Sequence, residues 1–262
     1  MTGFDTGAGP APPWVLEPSG HPVPVIGCVP HGGREYPAEL AADLAVSPDS
    51  LRSDWLTREL YGFLPELGVT TVSTPLSRFV ADVNRDPAGD QHGGFWTSVV
   101  AAHTSSGLPV YRRPLGPAEI RARIGRAHEP FHRALDQVVA RLTAQFGRVL
   151  LLDLHSFALA TPTDVILGDR HGATARPAAA ELVRAAFSAR GFHVGMNERF
   201  TGGWTVRRFA AHDLVDAIQV ELHVRCYLER ADFTDGVPRP GRPFALAQQR
   251  LRDSLADVVS GF

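Results

Sequence analysis

Three polar residues at or inside apolar runs have the types and positions that chemistry needs. His31 follows the run VIGCVP, His155 follows RVLLLDL, and Glu221 lies within AIQVELHV. In an open α/β sheet, ligands bind beyond the carboxyl ends of the strands, so side chains that follow such runs are candidates for a site. A buried histidine must satisfy two ring nitrogens, which a metal on one and a carboxylate or carbonyl on the other would do. The alternative for each histidine is a hydrogen-bonded place in the core.

Carboxylates accompany these histidines. Asp153 would share a strand face with His155 if both are extended, because side chains alternate along a strand. A carboxylate inside a Val/Ile/Leu run such as that around Glu221 is costly to bury unless it is paired or binds a metal. Burial would also raise the pKa of Glu221 towards the range that a general acid or base needs. The alternative for Glu221 is an outward-facing place on a half-exposed strand.

A second histidine pair matches a known zinc motif. Residues 128–132 read HEPFH, which fits the H-E-x-x-H pattern that puts two ligands on one helical face. Pro130 lies inside this motif, and an interior proline removes a helix hydrogen bond and clashes with the preceding turn, at a cost of about 3 kcal/mol. We therefore interpret His128 and His132 mainly as residues of a helix face.

Arginines are concentrated in two short segments. Residues 77–87 (SRFVADVNRDP) carry Arg78 and the neighbours Asn84 and Arg85, and residues 202–208 (GGWTVRR) carry Arg207. A guanidinium group binds a carboxylate in a bidentate way that lysine cannot match. The two segments therefore predict an acidic ligand, with ordinary surface ion pairs as the alternative for any single arginine.

The elements that would position these residues alternate along the chain. Apolar and β-branched runs predict strands, and apolar residues at helical spacing predict helices. The predicted strands are 23–29, 69–74, 148–154, 163–167 and 217–224, and the predicted helices are 49–66, 117–146, 176–190 and 242–258. This alternation predicts a layered α/β fold with a largely parallel, buried sheet. Residues 84–114 show no clear period, as in a functional or flexible loop.

Composition limits the classes of protein. Of the 262 residues, 44% are apolar and 21% charged, which is ordinary for a globular protein, and the net charge of −2 gives no basic field that would hold nucleic acid. We expect a loose Gly/Pro-rich arm at 1–17 and one domain at 18–262. No signal pattern, run of 18 apolar residues or cysteine motif occurs, so we expect a cytoplasmic protein without membrane association. Phosphate-binding glycine motifs are absent.

Eight stretches occur in an order that is typical of one family. They read VPHGGREYP, SDWLTRELY, PLSRFVADVNRDP, LPVYRRPL, LLLDLHSF, DVILGDRHG, TGGWTVRRF and AIQVEL, and they span roughly residues 23–228. On these motifs the sequence resembles the N-formylglutamate amidohydrolases (N-formylglutamate deformylases). The resemblance implies a relationship to zinc carboxypeptidases and aspartoacylase, with a three-layer α/β/α sandwich around a mixed, largely parallel sheet. It also implies one catalytic zinc ion.

The resemblance implies a set of ligands for this metal. His31 and His155 would bind it, and the D-W dipeptide of the family offers Asp54 as the third ligand. Glu35 is the alternative, but it lies four residues after His31, whereas carboxypeptidase-like sites use H-x-x-E. The chain also departs from the family pattern HALQIEIN, reading DAIQVELH, so Asp216 and His223 are candidates to alter the substrate pocket.

From these residues we expect a metal-dependent amidohydrolase. A zinc ion, or another divalent metal, on His31, Asp54 and His155 would lower the pKa of a bound water towards about 7. Glu221 would take a proton from this water and return it to the leaving amine, and Arg78 would help to stabilise the oxyanion.

The expected substrate is a small N-acyl amino acid, with N-formyl-L-glutamate as the first choice. Asn84 and Arg85, which the resemblance assigns to a substrate carboxylate, would clamp its carboxylates together with Arg207. Carboxylate binding alone does not distinguish glutamate from other amino acids. The alternatives are deacylation of another N-acyl amino acid, cleavage of a small peptide, and a non-catalytic protein that binds an acidic metabolite.

Overall fold

The computed structural model describes residues 13–48, 51, 54–229, 233–234 and 237–262. The helices are α1 Ala38–Ala41, α2 Thr57–Leu60, α3 Pro117–Phe146, α4 Pro177–Ala189, α5 Trp204–Phe209 and α6 Arg242–Gly261. The strands are β1 Trp14–Leu16, β2 Val25–Val29, β3 Thr70–Ser73, β4 His92–Gly93, β5 Val100–Ala101, β6 Val149–Phe157, β7 Val165–Gly168, β8 Val194–Met196, β9 Val215–His223, β10 Phe233–Thr234 and β11 Val237–Pro238. Among these residues, no helix is long and apolar enough to cross a membrane.

A mixed sheet organises the molecule. Among the described residues, seven strands join in the order β1-β3-β2-β6-β9-β7-β8. The central strands β3, β2, β6 and β9 run parallel, whereas β1 pairs antiparallel with β3 and β7 with β9. β6 and β9 are buried along their whole length, which explains their nearly continuous apolar sequences. The predicted α/β class is confirmed.

Helices cover both faces of this sheet. Leu151 and Ala217 belong to the apolar core that the sheet shares with α3 and α5. The adjacent residues Leu152 and Ile218 point the other way, into the core formed with α4 and α6. The predicted three-layer sandwich is therefore confirmed.

The longest helix continues through a proline. α3 begins with Pro117 after Gly116, and Pro130 lies inside it without ending it. The helix predicted for 117–146 is therefore confirmed over its whole length. Phe131 and Leu135 are fully buried against the sheet, and burial of each such side chain contributes about 1.5–3 kcal/mol, enough to offset the cost of the proline.

Two predictions near the N-terminus need correction. Of the predicted arm, residues 1–12 lie outside the described residues, but Trp14–Leu16 forms the edge strand β1, and Glu17 binds Arg141 at 2.7 Å. The sequence also predicts a helix for 49–66, of which residues 49–50 and 52–53 lie outside the described residues. The described part of this segment contains only the short helix α2 and the start of a 3-10 turn. Leu56 has a left-handed φ of 57°, which no α-helix accommodates.

Candidate active site

The register of two central strands brings polar residues together. β6 and β9 pair Asp153 with Gln219 and His155 with Glu221. All four side chains are buried. They lie on the face of the sheet that α3 and α5 cover, further along the two strands than the core residues Leu151 and Ala217. His155 lies inside β6 rather than after it, because this strand continues to Phe157.

Two loops complete a cluster around His155. His31 comes two residues after β2, and Asp54 lies just before α2. One ligand atom from each of His31, Asp54 and His155 lies within 4.8 Å of the others. His31 Nδ1 is 3.5 Å from Asp54 Oδ1, and His155 Nδ1 is 3.0 Å from Asp54 Oδ2. The structure thus brings Asp54, and not the exposed Glu35, to the two histidines.

The Nε2 atoms of His31 and His155 each lie next to a second carboxylate. His31 Nε2 lies 2.7 Å from Asp82 Oδ1, and His155 Nε2 lies 3.1 Å from Asp153 Oδ2. A carboxylate on one ring nitrogen fixes the tautomer and orientation of a histidine that binds metal through the other. Both Nδ1 atoms therefore remain directed towards Asp54.

This arrangement fits a divalent metal. His31 Nδ1 is buried and has no hydrogen-bond partner among the described residues, which is costly in a site that holds only protein. Two imidazole nitrogens and one carboxylate oxygen are the donor set of a catalytic zinc site with an open fourth position. His31, Asp54 and His155 can therefore hold such an ion.

Neighbouring positive groups lower the pKa values of two buried carboxylates at this site, Asp54 and Asp82. Burial by itself would raise the pKa of Asp54, but the neighbouring His31 and His155 outweigh it and hold this pKa well below its ordinary value. Burial would likewise raise the pKa of Asp82, but the nearby Arg78 and His31 outweigh burial, so this pKa is also lowered. Both carboxylates therefore stay ionised, as metal ligation and histidine orientation require.

Glu221 differs from Asp54 and Asp82 in the direction of its pKa shift. Burial, with a further contribution from the charges of Asp54 and Asp153, raises the pKa of Glu221 to about 8. Its Oε1 accepts a hydrogen bond of 2.7 Å from Gln219 Nε2, and Gln219 Oε1 accepts one of 2.7 Å from Gly203 N. These two hydrogen bonds fix the carboxyl group of Glu221 and leave its second oxygen available to a ligand.

The three predicted arginines, Arg78, Arg85 and Arg207, all line one cavity at this site. Arg78 forms an ion pair with Asp82 and stacks on Phe95, with 4.4 Å between its Cζ and the ring centroid. Arg85 Nε is 3.8 Å from Asp82 Oδ2 and has no hydrogen-bond partner among the described residues. Each guanidinium group carries five N–H donors, so both retain donors for an anionic ligand.

Asn84 and Arg207 are more fully engaged. Asn84 Nδ2 donates to Asp153 Oδ2 at 3.0 Å, and Asn84 Oδ1 accepts from Thr205 N at 2.9 Å. Arg207 donates to Asp86 Oδ2 at 2.7 Å and lies over the ring of Trp204. The structure places both at the cavity, with these protein partners already bound.

The histidines of the H-E-x-x-H motif hold the backbone of the arginine segment. His132 Nε2 donates to Val83 O at 2.7 Å, and His128 Nε2 donates to Arg85 O at 2.9 Å. Both are buried on the inner face of α3, and neither belongs to the cluster of His31, Asp54 and His155. Burial, followed by the nearby His128, lowers the pKa of His132 to about 3, so it stays neutral.

The cavity at this site has a volume of about 750 Å³. Its lining includes Phe95 and Trp96 from the segment between β4 and β5, whereas Asp216 and His223 do not contribute to it. The two departures from the family pattern therefore lie outside the cavity: Asp216 binds Arg176, and His223 binds the backbone.

Sequence reasoning missed Asp82 and Gln219 as partners of the candidate site. Asp82 lies in the apolar run FVADV, and this signal, an acid among apolar residues, is the one that identified Glu221. Gln219 has no such signal, because a glutamine in a strand is common and only the pairing of β6 with β9 reveals its neighbour.

The fold and this site define an α/β protein with a buried His/Asp cluster that could hold a metal ion, and comparison with known proteins identifies its family. The chain belongs to the N-formylglutamate amidohydrolase family, whose model matches residues 23–228, so the resemblance predicted from the motifs is confirmed. An N-formylglutamate deformylase of Pseudomonas aeruginosa is 34% identical over 249 residues, which cover 89% of this chain and 93% of the relative. One of Pseudomonas putida is 31% identical, over 80% and 84% of the two chains.

Solved structures agree with this assignment. The crystal structure of N-formylglutamate amidohydrolase from Ralstonia eutropha JMP134 has a TM-score of 0.79 and 28% identity, and the match covers 95% of this chain and 96% of that one. The product of gene Atu2144 from Agrobacterium tumefaciens has a TM-score of 0.68 at 19% identity, over 91% of each chain, and supports the fold alone.

Proposed function

We propose that this protein is a metal-dependent amidohydrolase that hydrolyses N-formyl-L-glutamate to formate and L-glutamate. The observation that carries the proposal is the place of Glu221, a buried carboxyl group that β9 sets opposite His155 of the His31, Asp54 and His155 cluster. The names of the two Pseudomonas relatives, which cover most of the chain at 34% and 31% identity, support the choice of substrate.

His31, Asp54 and His155 would hold the metal, with Asp82 and Asp153 orienting the two rings. A zinc ion bound there would supply a water of lowered pKa and polarise the carbonyl of the substrate. The zinc-type donor set and the buried, unpartnered His31 Nδ1 support this assignment.

Glu221 would move the proton. Its carboxylate accepts a proton from the water that attacks the formyl carbon, and it then passes this proton to the amide nitrogen as the C–N bond breaks. The products are formate and the free amine of glutamate. The hydrogen bond from Gln219 holds one oxygen of Glu221, so that the other carries the proton over a short path.

The arginines would bind the charges of the substrate. Arg78 faces the negative charge that develops on the carbonyl oxygen, where loss of one stabilising donor costs on the order of 100-fold to 1000-fold in turnover. Arg85, which lines the cavity, binds the α-carboxylate. The same role for Asn84 and Arg207 requires each to exchange a partner that it now holds.

Metal analysis and product release test the proposal together. We expect about one divalent ion per chain by elemental analysis, and release of formate and glutamate in equal amounts from N-formyl-L-glutamate. A chelator should abolish the reaction and added zinc should restore it. A metal-loaded protein that hydrolyses no member of a panel of N-formyl and N-acetyl amino acids would contradict the proposal and would favour a binding protein for an acidic metabolite.

A further inference from the structure

Two arginines of the cavity, Arg170 and Arg199, form no ion pair among the described residues, and Arg170 is the more buried of the two. Arg170, from the motif GDRHG, is half-buried in the cavity wall and donates from one nitrogen, Nη1, to Gly202 O at 3.1 Å. Within the described part of the chain it forms no ion pair. Arg78 and Arg207 lie in the same cavity but are bound to Asp82 and Asp86, so Arg170 offers a charge that the protein does not neutralise.

The backbone around Arg170 is held in an uncommon conformation. Arg170 and His171 have left-handed φ values of 53° and 57°. Asn197 Oδ1 accepts from the backbone nitrogens of Asp169 and His171 at 3.1 and 3.3 Å, and its Nδ2 donates to Asp169 Oδ1 at 2.6 Å. Such backbone costs on the order of 1–3 kcal/mol per residue and persists where the surroundings fix it, which is common at ligand sites.

The glycine pair beside Arg170 also adjoins the other substrate-facing residues. A Cβ atom on Gly202 would lie 3.1 Å from Arg170 Cγ, and one on Gly203 would lie 2.6 Å from Asn84 Oδ1. Consecutive Cα atoms are about 3.8 Å apart. Arg170 and the segment of Asn84 and Arg85 therefore flank two adjacent glycines in one wall of the cavity.

We propose that Arg170 binds the side-chain carboxylate of the substrate and so selects N-formyl amino acids that carry a second carboxylate. The inference rests on the proposed function, in which Arg85 takes the α-carboxylate. With Nη1 on Gly202 O, the remaining N–H groups of Arg170 form a fork for bidentate binding of a carboxylate. A neutral side chain in the same place leaves that guanidinium group without a partner, which disfavours such substrates.

Two substrates of nearly equal shape test this selectivity. N-formylglutamine differs from N-formylglutamate by a neutral amide in place of the side-chain carboxylate. We expect Arg170→Gln to lower kcat/KM for N-formylglutamate by about 100-fold, mainly through KM, because a charged partner of the substrate is lost. For N-formylglutamine we expect little change. Arg170→Lys should recover part of the loss, since it restores the charge without the fork.

Two further variants serve as controls. Arg184→Gln removes an exposed arginine that is bound to Glu181 outside the cavity and should leave both substrates unaffected. Arg199→Gln removes an exposed arginine that also lines the cavity and should preserve the preference for N-formylglutamate. If Arg199→Gln abolishes this preference instead, the assignment to Arg170 is overturned.

The outcomes also separate this inference from the proposed function. If the wild-type protein is active but Arg170→Gln lowers kcat/KM equally for both substrates, or for neither, the inference alone fails. If the wild type releases formate from neither substrate, the proposed function fails and the inference with it. Should Arg170→Gln not fold, as judged by circular dichroism, Arg170→Lys must still reduce the preference for N-formylglutamate, and an unchanged preference refutes the proposal.

Discussion

Glu221 lies directly opposite His155, because the parallel strands β9 and β6 pair these two residues. Neighbouring strands are about 4.8 Å apart, so the sheet itself sets the distance between the proposed base and a proposed metal ligand. Both residues are buried, and Glu221 is paired with β6 on one side and with β7 on the other, which restricts its motion. A rigid scaffold of this kind keeps catalytic groups within the small tolerance that their geometry allows.

The identity of the third ligand gives a direct prediction. Asp54→Ala should weaken zinc binding by more than the roughly 10-fold to 100-fold that loss of an outer partner costs, because it removes a donor itself. Glu35→Ala should bind zinc as the wild type does, since Glu35 is exposed and lies apart from the cluster. Calorimetric titration of the metal-free variants measures both affinities. Loss of zinc from Glu35→Ala with retention by Asp54→Ala would reverse the assignment.

The close approach at Gly203 gives a second prediction. A Cβ atom there would lie 2.6 Å from Asn84 Oδ1, so Gly203→Ala should displace Asn84 from Thr205 N and from Asp153. We expect kcat/KM to fall by about 100-fold, as a displacement of about 1 Å in a site can cause, and stability to fall by about 1–3 kcal/mol from overpacking. Steady-state kinetics and thermal unfolding measure the two effects.

Gly20→Ala is the matched control for this change. A Cβ atom on Gly20 would meet nothing within 4 Å, so activity and stability should stay at the wild-type level. A folded Gly203→Ala protein with full activity would show that Asn84 does not need its present position.

The buried His132 predicts a loss of stability in acid. Its pKa is lowered from 6.5 to about 3 in the folded protein, chiefly by burial, so the unfolded chain binds the proton more tightly. Stability is therefore complete above pH 6.5 and is lost as the pH falls below this value. At pH 5 this group alone contributes a loss of about 2 kcal/mol, since one pKa unit is worth 1.36 kcal/mol.

Replacement by glutamine isolates this contribution. His132→Gln cannot titrate, but its amide can still donate to Val83 O, so its free energy of unfolding should fall less between pH 7 and pH 5. His103→Gln, at an exposed histidine, should keep the wild-type pH dependence. Urea unfolding at several pH values measures the difference, and parallel curves for His132→Gln and the wild type would contradict the prediction.

The sequence predicted the central sheet and much of the site because both depend on strong local signals. The apolar runs identified β2, β3, β6, β7 and β9, and polar residues after or within these runs identified His31, His155 and Glu221. The edge strand β1 gave no such signal, since three residues among prolines and glycines pair only through β3.

Other features of the site depend on contacts between distant segments. Arg170 follows β7 in the sequence, but only the fold shows that it lacks an acidic partner and lies against Gly202. His128 and His132 matched a zinc motif, yet their neighbours are backbone carbonyls of residues 83 and 85. Short motifs show which side chains are present, whereas the partners of those side chains follow from tertiary structure.

The most direct test of the central claim is the turnover of Glu221→Gln with its metal content measured on the same sample. The amide keeps the shape of Glu221 but cannot accept the proton, and general acid–base catalysis contributes about 100-fold to 10,000-fold. We therefore predict full metal content with kcat for formate release from N-formyl-L-glutamate reduced by at least about 100-fold. A metal-loaded Glu221→Gln protein with wild-type turnover would contradict the proposed mechanism.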